Sequence, residues 1–121
     1  MLLKYTDILR SADPLNYICT RKSFPFSTAF LLCSNMNSIA ATITAYAEQK
    51  QMIDKEYTSI NAKGSMEITK GMEEKYLKAI TELNDTEKDI PINKLPLSSF
   101  KDITVPPFFI NCISFMIDLD N

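Results

Sequence analysis

Between Phe24 and Ile60 the apolar residues fall in steps of three and four, at Leu32, Met36, Ile39, Ile43, Tyr46, Ile53, Tyr57 and Ile60, with Lys50 alone interrupting the series. That spacing lays a heptad-type seam along one face of a continuous helix and keeps the seam turned toward a partner helix. At 1.5 Å per residue such a helix runs roughly 50 Å, more than a small domain needs. It cannot bury its seam alone, so the rest of the chain or a second copy must cover it.

The elements around it follow from the same patterning. Thr6 to Ser11 reads as a short helix, and Asp13-Pro14 as the N-cap and first-turn proline of a second one running to about Cys19, with Leu15 and Ile18 inward. Residues 1–22 are thus expected to hold two short helices and 24–60 the long one. Asn61 to Ser65 is turn chemistry that reverses the chain, and Met66 to Ile68 a brief extended piece. Thr69 is placed to cap a helix over 69–85, in which Met72, Tyr76, Ile80 and Leu83 repeat at helical spacing and Leu77 widens the stripe. At roughly 22 Å that helix reaches only the charged half of the long one.

From Asp89 the pattern alternates and carries prolines, which suits an extended arm over 89–105 rather than an inner strand. Leu97 to Phe100 reads as one helical turn within it, and Ile103 to Val105 as a short strand. Residues 106–119 then form a last helix, apolar on nearly every side from Phe108 to Met116, hence expected to be buried all round against the uncharged half of the long helix. The fold class predicted is mainly α with a small β element, in a single domain over 1–121.

Charge divides the long helix in two. Ser23 to Ala47 holds no charged residue, whereas Glu48, Lys50, Asp54, Lys55 and Glu56 crowd the following stretch. The uncharged run contains Ser27, Thr28, Ser34, Asn35, Asn37, Ser38, Thr42 and Thr44, too polar for a membrane span of about 20 predominantly apolar residues. A net charge of −2 argues against a general nucleic-acid binder, which carries a basic surplus. The opening MLLKYTDILR lacks the apolar core of a signal peptide. Cys19, Cys33 and Cys112 are far apart and odd in number, which fits reduced, buried thiols in a cytoplasmic compartment, Cys33 and Cys112 as core residues of apolar helical patterns.

Order and motif then suggest a family. A leucine-and-isoleucine opening precedes the Phe24-Pro25-Phe26 lead-in to a long helix and a charged helical midsection. Asp89-Ile-Pro-Ile92, Phe100-Lys-Asp-Ile103 and Phe115-Met-Ile-Asp118 follow. The arrangement resembles a family of small, functionally uncharacterised proteins of tailed bacteriophages and prophages, although its members are expected to carry lysines and glutamates where this helix is uncharged. The resemblance implies a phage origin and the cytoplasm of a bacterial host. It implies no activity.

No residue set points to catalysis. There is no histidine, so the commonest general base and zinc ligand is missing. Two glycines leave no phosphate-cradling loop, and the serines have no evident activating partner. The expectation is a non-enzyme without metal or cofactor. Arg10, Arg21 and Lys22 lie near the joints expected at the N-terminus, where helix ends add backbone donors, so a phosphate or nucleotide contact is open there, with ordinary surface charge the favoured account. A second stripe on the long helix stands out more. Ser27, Leu31, Ser34, Ser38, Ala41 and Ala45 again step by three and four, and all but Leu31 are small. Small side chains permit close helix approach, so this face is expected to meet another subunit or a foreign protein, unless the chain's own C-terminal helix or N-terminal segment covers it. The function expected is therefore protein–protein interaction: self-association together with binding and modulation of a host protein such as a defence or replication factor. The alternatives are a structural or assembly role in the virion and sequestration of a nucleotide.

Overall fold

In the computed structural model, which describes residues 1–119, one helix organises the core, and it is not the longest. After a three-residue strand, β1 (Leu2–Lys4), the chain enters α1 (Tyr5–Arg21), where Tyr5, Ile8, Leu15 and Ile18 are each at most 1% exposed. Their spacing gives α1 a stripe wide enough to pack on two neighbours at once. One is α2 (Phe26–Tyr57), which returns antiparallel. The other is α4 (Pro107–Ile113).

Two short helices at the N-terminus are therefore replaced by one. Pro14 lies buried inside α1, and Asp13 is an exposed mid-helix residue rather than a cap. The proline ring leaves the Arg10 carbonyl without its helical donor, a local penalty of about 3 kcal/mol. Burial of the flanking Ile8, Leu15 and Ile18 offsets it, at roughly 1.5–3 kcal/mol for each side chain. Propensity loses to packing here.

α2 follows the predicted seam closely. Leu32 and Ile39 are each 2% exposed, and Met36 and Ile43 pack against the core they join. The helix stops short of Ile60, however. Residues 58–60 turn into β2 (Thr58–Ile60), which pairs antiparallel with β3 (Met66–Ile68), so Ile60 leaves the seam and stands 73% exposed. The turn between the strands is built as the sequence predicts. The Asn61 side-chain oxygen accepts from the amides of Lys63 (2.9 Å) and Ser65 (3.0 Å), and Gly64 adopts φ +79°, which glycine tolerates without a Cβ clash.

α3 (Glu73–Asp85) begins later than expected and is not capped by Thr69. The Thr69 carbonyl instead accepts from Met72 N–H at 2.9 Å in a turn that precedes the helix, with Gly71 at φ +87°. α3 lies along the charged half of α2, as its length requires. Leu83 is buried, but Leu77 does not widen the packed stripe, being 66% exposed.

The arm after α3 is stitched to distant parts of the chain. β4 (Glu87–Asp89) pairs antiparallel with β1, Leu2 opposite Asp89 and Lys4 opposite Glu87. Then β5 (Leu95–Pro96) pairs in parallel with β6 (Ile117–Asp118). Leu97–Phe100 is the expected single turn, of 3-10 type, while Ile103 to Val105 is not a strand.

The C-terminal helix departs furthest from expectation. It covers seven residues rather than the stretch to 119, continues as a 3-10 turn (Ser114–Met116) and ends in β6. It packs on α1, Phe109 edge-on to Tyr17 at 5.2 Å between ring centres, rather than on the uncharged half of α2. Nor is it buried all round: Cys112 and Ile113 face inward, while Phe108 and Ile110 are 59% and 47% exposed. The fold is mainly α with a small β element.

Candidate functional site

The far end of α2 carries the surface that local structure marks most clearly. Antiparallel pairing sets Thr58 opposite Ile68 and Ile60 opposite Met66. Side chains alternate along a strand, and directly opposed residues share a face. One side of this ribbon is thus Thr58, Ile60, Met66 and Ile68, and the other holds Ser59 and Glu67. In an amphipathic ribbon the apolar side is the one a protein buries. Among the described residues nothing buries it, since Ile60, Met66 and Ile68 are 73%, 62% and 37% exposed. Met52 and Leu77, on α2 and α3, are also uncovered.

The ribbon is held at its base rather than along its face. The Thr69 amide donates to the Tyr57 carbonyl at 2.8 Å, and the rings of Tyr57 and Tyr76 meet edge-on at 6.4 Å. Tyr76 Oη donates to Asp54 Oδ1 at 2.8 Å, and Lys50 Nζ lies 3.3 Å from Asp54 Oδ2. The hydrogen bond to the Asp54 carboxylate raises the Tyr76 phenol above its ordinary value, with burial adding to it. Lys50 is raised too, chiefly by its own hydrogen bond to Asp54. The polar cluster therefore fixes the ribbon's root and leaves its apolar face and both strand edges open. Unpaired strand edges accept a further strand from another chain.

The small-residue face falls elsewhere and is divided. Ser27 is exposed, whereas Leu31 packs against the core. Ser34 Oγ accepts from Asn93 Nδ2 at 3.4 Å, and Ser38 is half-buried. Ala41 and Ala45 line a hollow of about 280 Å³ with Tyr5, Lys88, Asp89 and Ile90. From Ser34 to Ala45 the face thus runs beside the chain's own arm, residues 88–93, a neighbour that the sequence reading did not weigh. At the open end of α2, Phe26 and Phe30 stand 86% and 64% exposed, one helical turn apart.

Arg10, Arg21 and Lys22 are not gathered into one pocket. The joint expected between two N-terminal helices does not exist, and Arg10 and Arg21 sit roughly 16 Å apart along the same helix. The Arg10 guanidinium lies 5.9 Å from the Phe108 ring centre, beside a hollow of about 240 Å³ that it shares with Asp7, Asn111 and Ser114. Arg21 stacks over Tyr17 at 4.7 Å, and Lys22 Nζ donates to the Lys101 carbonyl.

Sequence reasoning missed Asn35. Its side chain is fully buried, and its amide donates to the Asn93 carbonyl at 2.9 Å while its oxygen accepts from the Asn93 amide at 2.8 Å. It thereby replaces a strand partner for the arm and fastens it to α2. Its position between Leu32 and Ile39, on the seam side of an uncharged run, was the only local signal.

Among the described residues no helix is long and apolar enough to cross a membrane, and no three histidine, cysteine or acidic side chains cluster as metal ligands. The chain matches no family model, and no curated protein or solved structure matches it.

Proposed function

We propose that the protein acts by binding another protein rather than by catalysis, and that the apolar face of the β2–β3 ribbon is the contact. The uncovered face of Ile60, Met66 and Ile68 carries this reading, because burying it on a partner recovers the hydrophobic free energy left unrealised, about 25 cal/mol per Å². Both strand edges add backbone hydrogen bonds to an extended segment of that partner. The partner proposed is a bacterial host protein whose activity is modulated, with a component of the virion as the alternative. Self-association through the ribbon, giving a four-stranded sheet between two copies, is the nearest competing arrangement.

The test combines solution mass with capture from bacterial lysate, using the whole chain and the variants Ile60→Glu with Met66→Glu, and Ser38→Glu. The expected result is one host protein, identified by mass spectrometry, retained by the wild type and by Ser38→Glu but lost from the ribbon variant. A wild-type dimer that the ribbon variant returns to 13.8 kDa moves the ribbon to self-association instead. A partner or dimer lost with Ser38→Glu and kept by the ribbon variant puts the contact on the small-residue face. Incorporation into purified virions replaces the host-directed reading with an assembly role.

A further inference from the structure

The antiparallel register of α1 and α2 brings two cysteines and a methionine to one hollow at the loop end of the helical hairpin. Tyr5 meets Tyr46 edge-on at 5.2 Å, and Ala12 and Leu15 line one hollow with Met36 and Ile39. Continued toward the connecting loop, the same register sets Cys19 on α1 opposite Cys33 on α2. Cys33, expected to be buried, is instead exposed, and Cys19, Cys33 and Met36 all line a single open hollow of about 420 Å³. Cys33 and Met36 are three apart on one helix and so share a face. Three sulfur-bearing residues from two helices thus line one open space.

We propose that this hollow is a binding site for a soft, low-coordinate metal ion, copper(I), with Cys19, Cys33 and Met36 as its ligands. Thiolate and thioether ligands select copper(I) among the first-row ions. A structural zinc site requires four ligands, and no three histidine, cysteine or acidic groups cluster among the described residues to supply them. On binding, two S–H bonds break, two Cu–S bonds form, and both protons leave to solvent. The Met36 sulfur donates a lone pair, and no atom changes oxidation state. The resulting bis-thiolate carries one net negative charge beside Lys22, which lines the same hollow. Each thiol gives up its proton on becoming a ligand, so binding competes with protons. The site lies at the opposite end of α2 from the ribbon and does not depend on the ribbon's having a partner.

Anaerobic titration of the whole reduced chain with copper(I), against the chromophoric chelator bicinchoninate, tests this directly. The expected result is one copper per chain, with about two protons released per ion near pH 7. Cys19→Ser and Cys33→Ser should each weaken binding by at least about tenfold, Met36→Leu by less, and Cys112→Ser not at all. Cys33 is exposed, so Cys33→Ser should leave the helical circular dichroism unchanged and isolate ligation from folding. Copper should also shield Cys33 from alkylation. Failure of the wild type to compete for copper overturns the proposal, as does undiminished binding by the Cys19→Ser, Cys33→Ser double variant. So does a Cys19–Cys33 disulfide in the isolated protein that copper(I) and reductant together cannot convert to a metal complex.

Discussion

The two halves of α2 are one uninterrupted helix with different means of attachment. In the first half Leu32, Asn35 and Ile39 are buried, and the contact is a packed core against α1 with one buried amide clamp to the arm. Beyond Ile39 no residue of the helix is fully buried. The second half is held by polar tethers: Tyr46 Oη to Asn84 Oδ1 at 2.7 Å, Tyr76 Oη to Asp54 at 2.8 Å, and the Lys50–Asp54 pair. These partly buried hydrogen bonds contribute about 0.5–1.5 kcal/mol net each, whereas a buried aliphatic side chain contributes several times more per residue. The first half should therefore unfold with the domain, and the second should open locally at lower free energy. A binding surface on the second half sits where the chain adapts most easily.

Substitutions can sharpen that contrast. The largest expected effect is Ile39→Ala, which should lower stability by about 2–5 kcal/mol in urea unfolding, because the residue is 2% exposed in the core. Asn35→Ala follows at about 2–3 kcal/mol, since it leaves the Asn93 amide and carbonyl without partners in a partly buried place. Ile53→Ala, half-buried on the second half, should lose only about 1 kcal/mol. If Ile53→Ala proves as damaging as Ile39→Ala, the two halves are not distinct.

The smallest effect concerns pH. Lys50 and Tyr76 both have folded values raised by Asp54, so the stabilisation they provide is complete below their ordinary values and lost as pH rises through the folded ones. Hydrogen exchange at the second half should accelerate above about pH 10 beyond its intrinsic increase. In Tyr76→Phe that excess should shrink, with a stability loss below about 1 kcal/mol, and an unchanged excess would show the cluster to be irrelevant to opening.

How much of this the sequence discloses depends on the distance over which each feature is encoded. The seam, the Asn61 turn and the Leu97 turn are written within a few residues, and each forms where periodicity or turn chemistry places it. Pro14 misleads because its local penalty is outweighed by packing from α2 and α4, whose contacting residues lie outside any local window around it. The final apolar run misleads for a related reason. Its continuous hydrophobicity satisfies a helix, a 3-10 turn and a strand end equally, and the parallel pairing of β6 with β5 is what divides it. At the candidate site only Met66-Glu-Ile68 was legible as extended, whereas Thr58-Ser-Ile60 read as the last turn of the helix seam, so the ribbon itself was not foreseen. That none of the described residues covers it follows from how distant elements are arranged. The hollow shared by Cys19, Cys33 and Met36 needed the helix register, which no local motif specifies.

The pairing of β1 with β4 has a consequence for how the chain is made. On the ribosome, α1 and α2 are neighbours and can form their hairpin as soon as both emerge, but the strand that closes over β1 follows α3. At about 5–20 residues per second, the interval between the end of α2 and the arrival of β4 is a few seconds. Through that interval the side of α1 destined for α4 stays uncovered by its own chain, and Asn35 awaits Asn93. Assembly of the hairpin is early and local, whereas closure by the arm is late and must bring together ends that synthesis has separated, the slow step expected of long-range pairing.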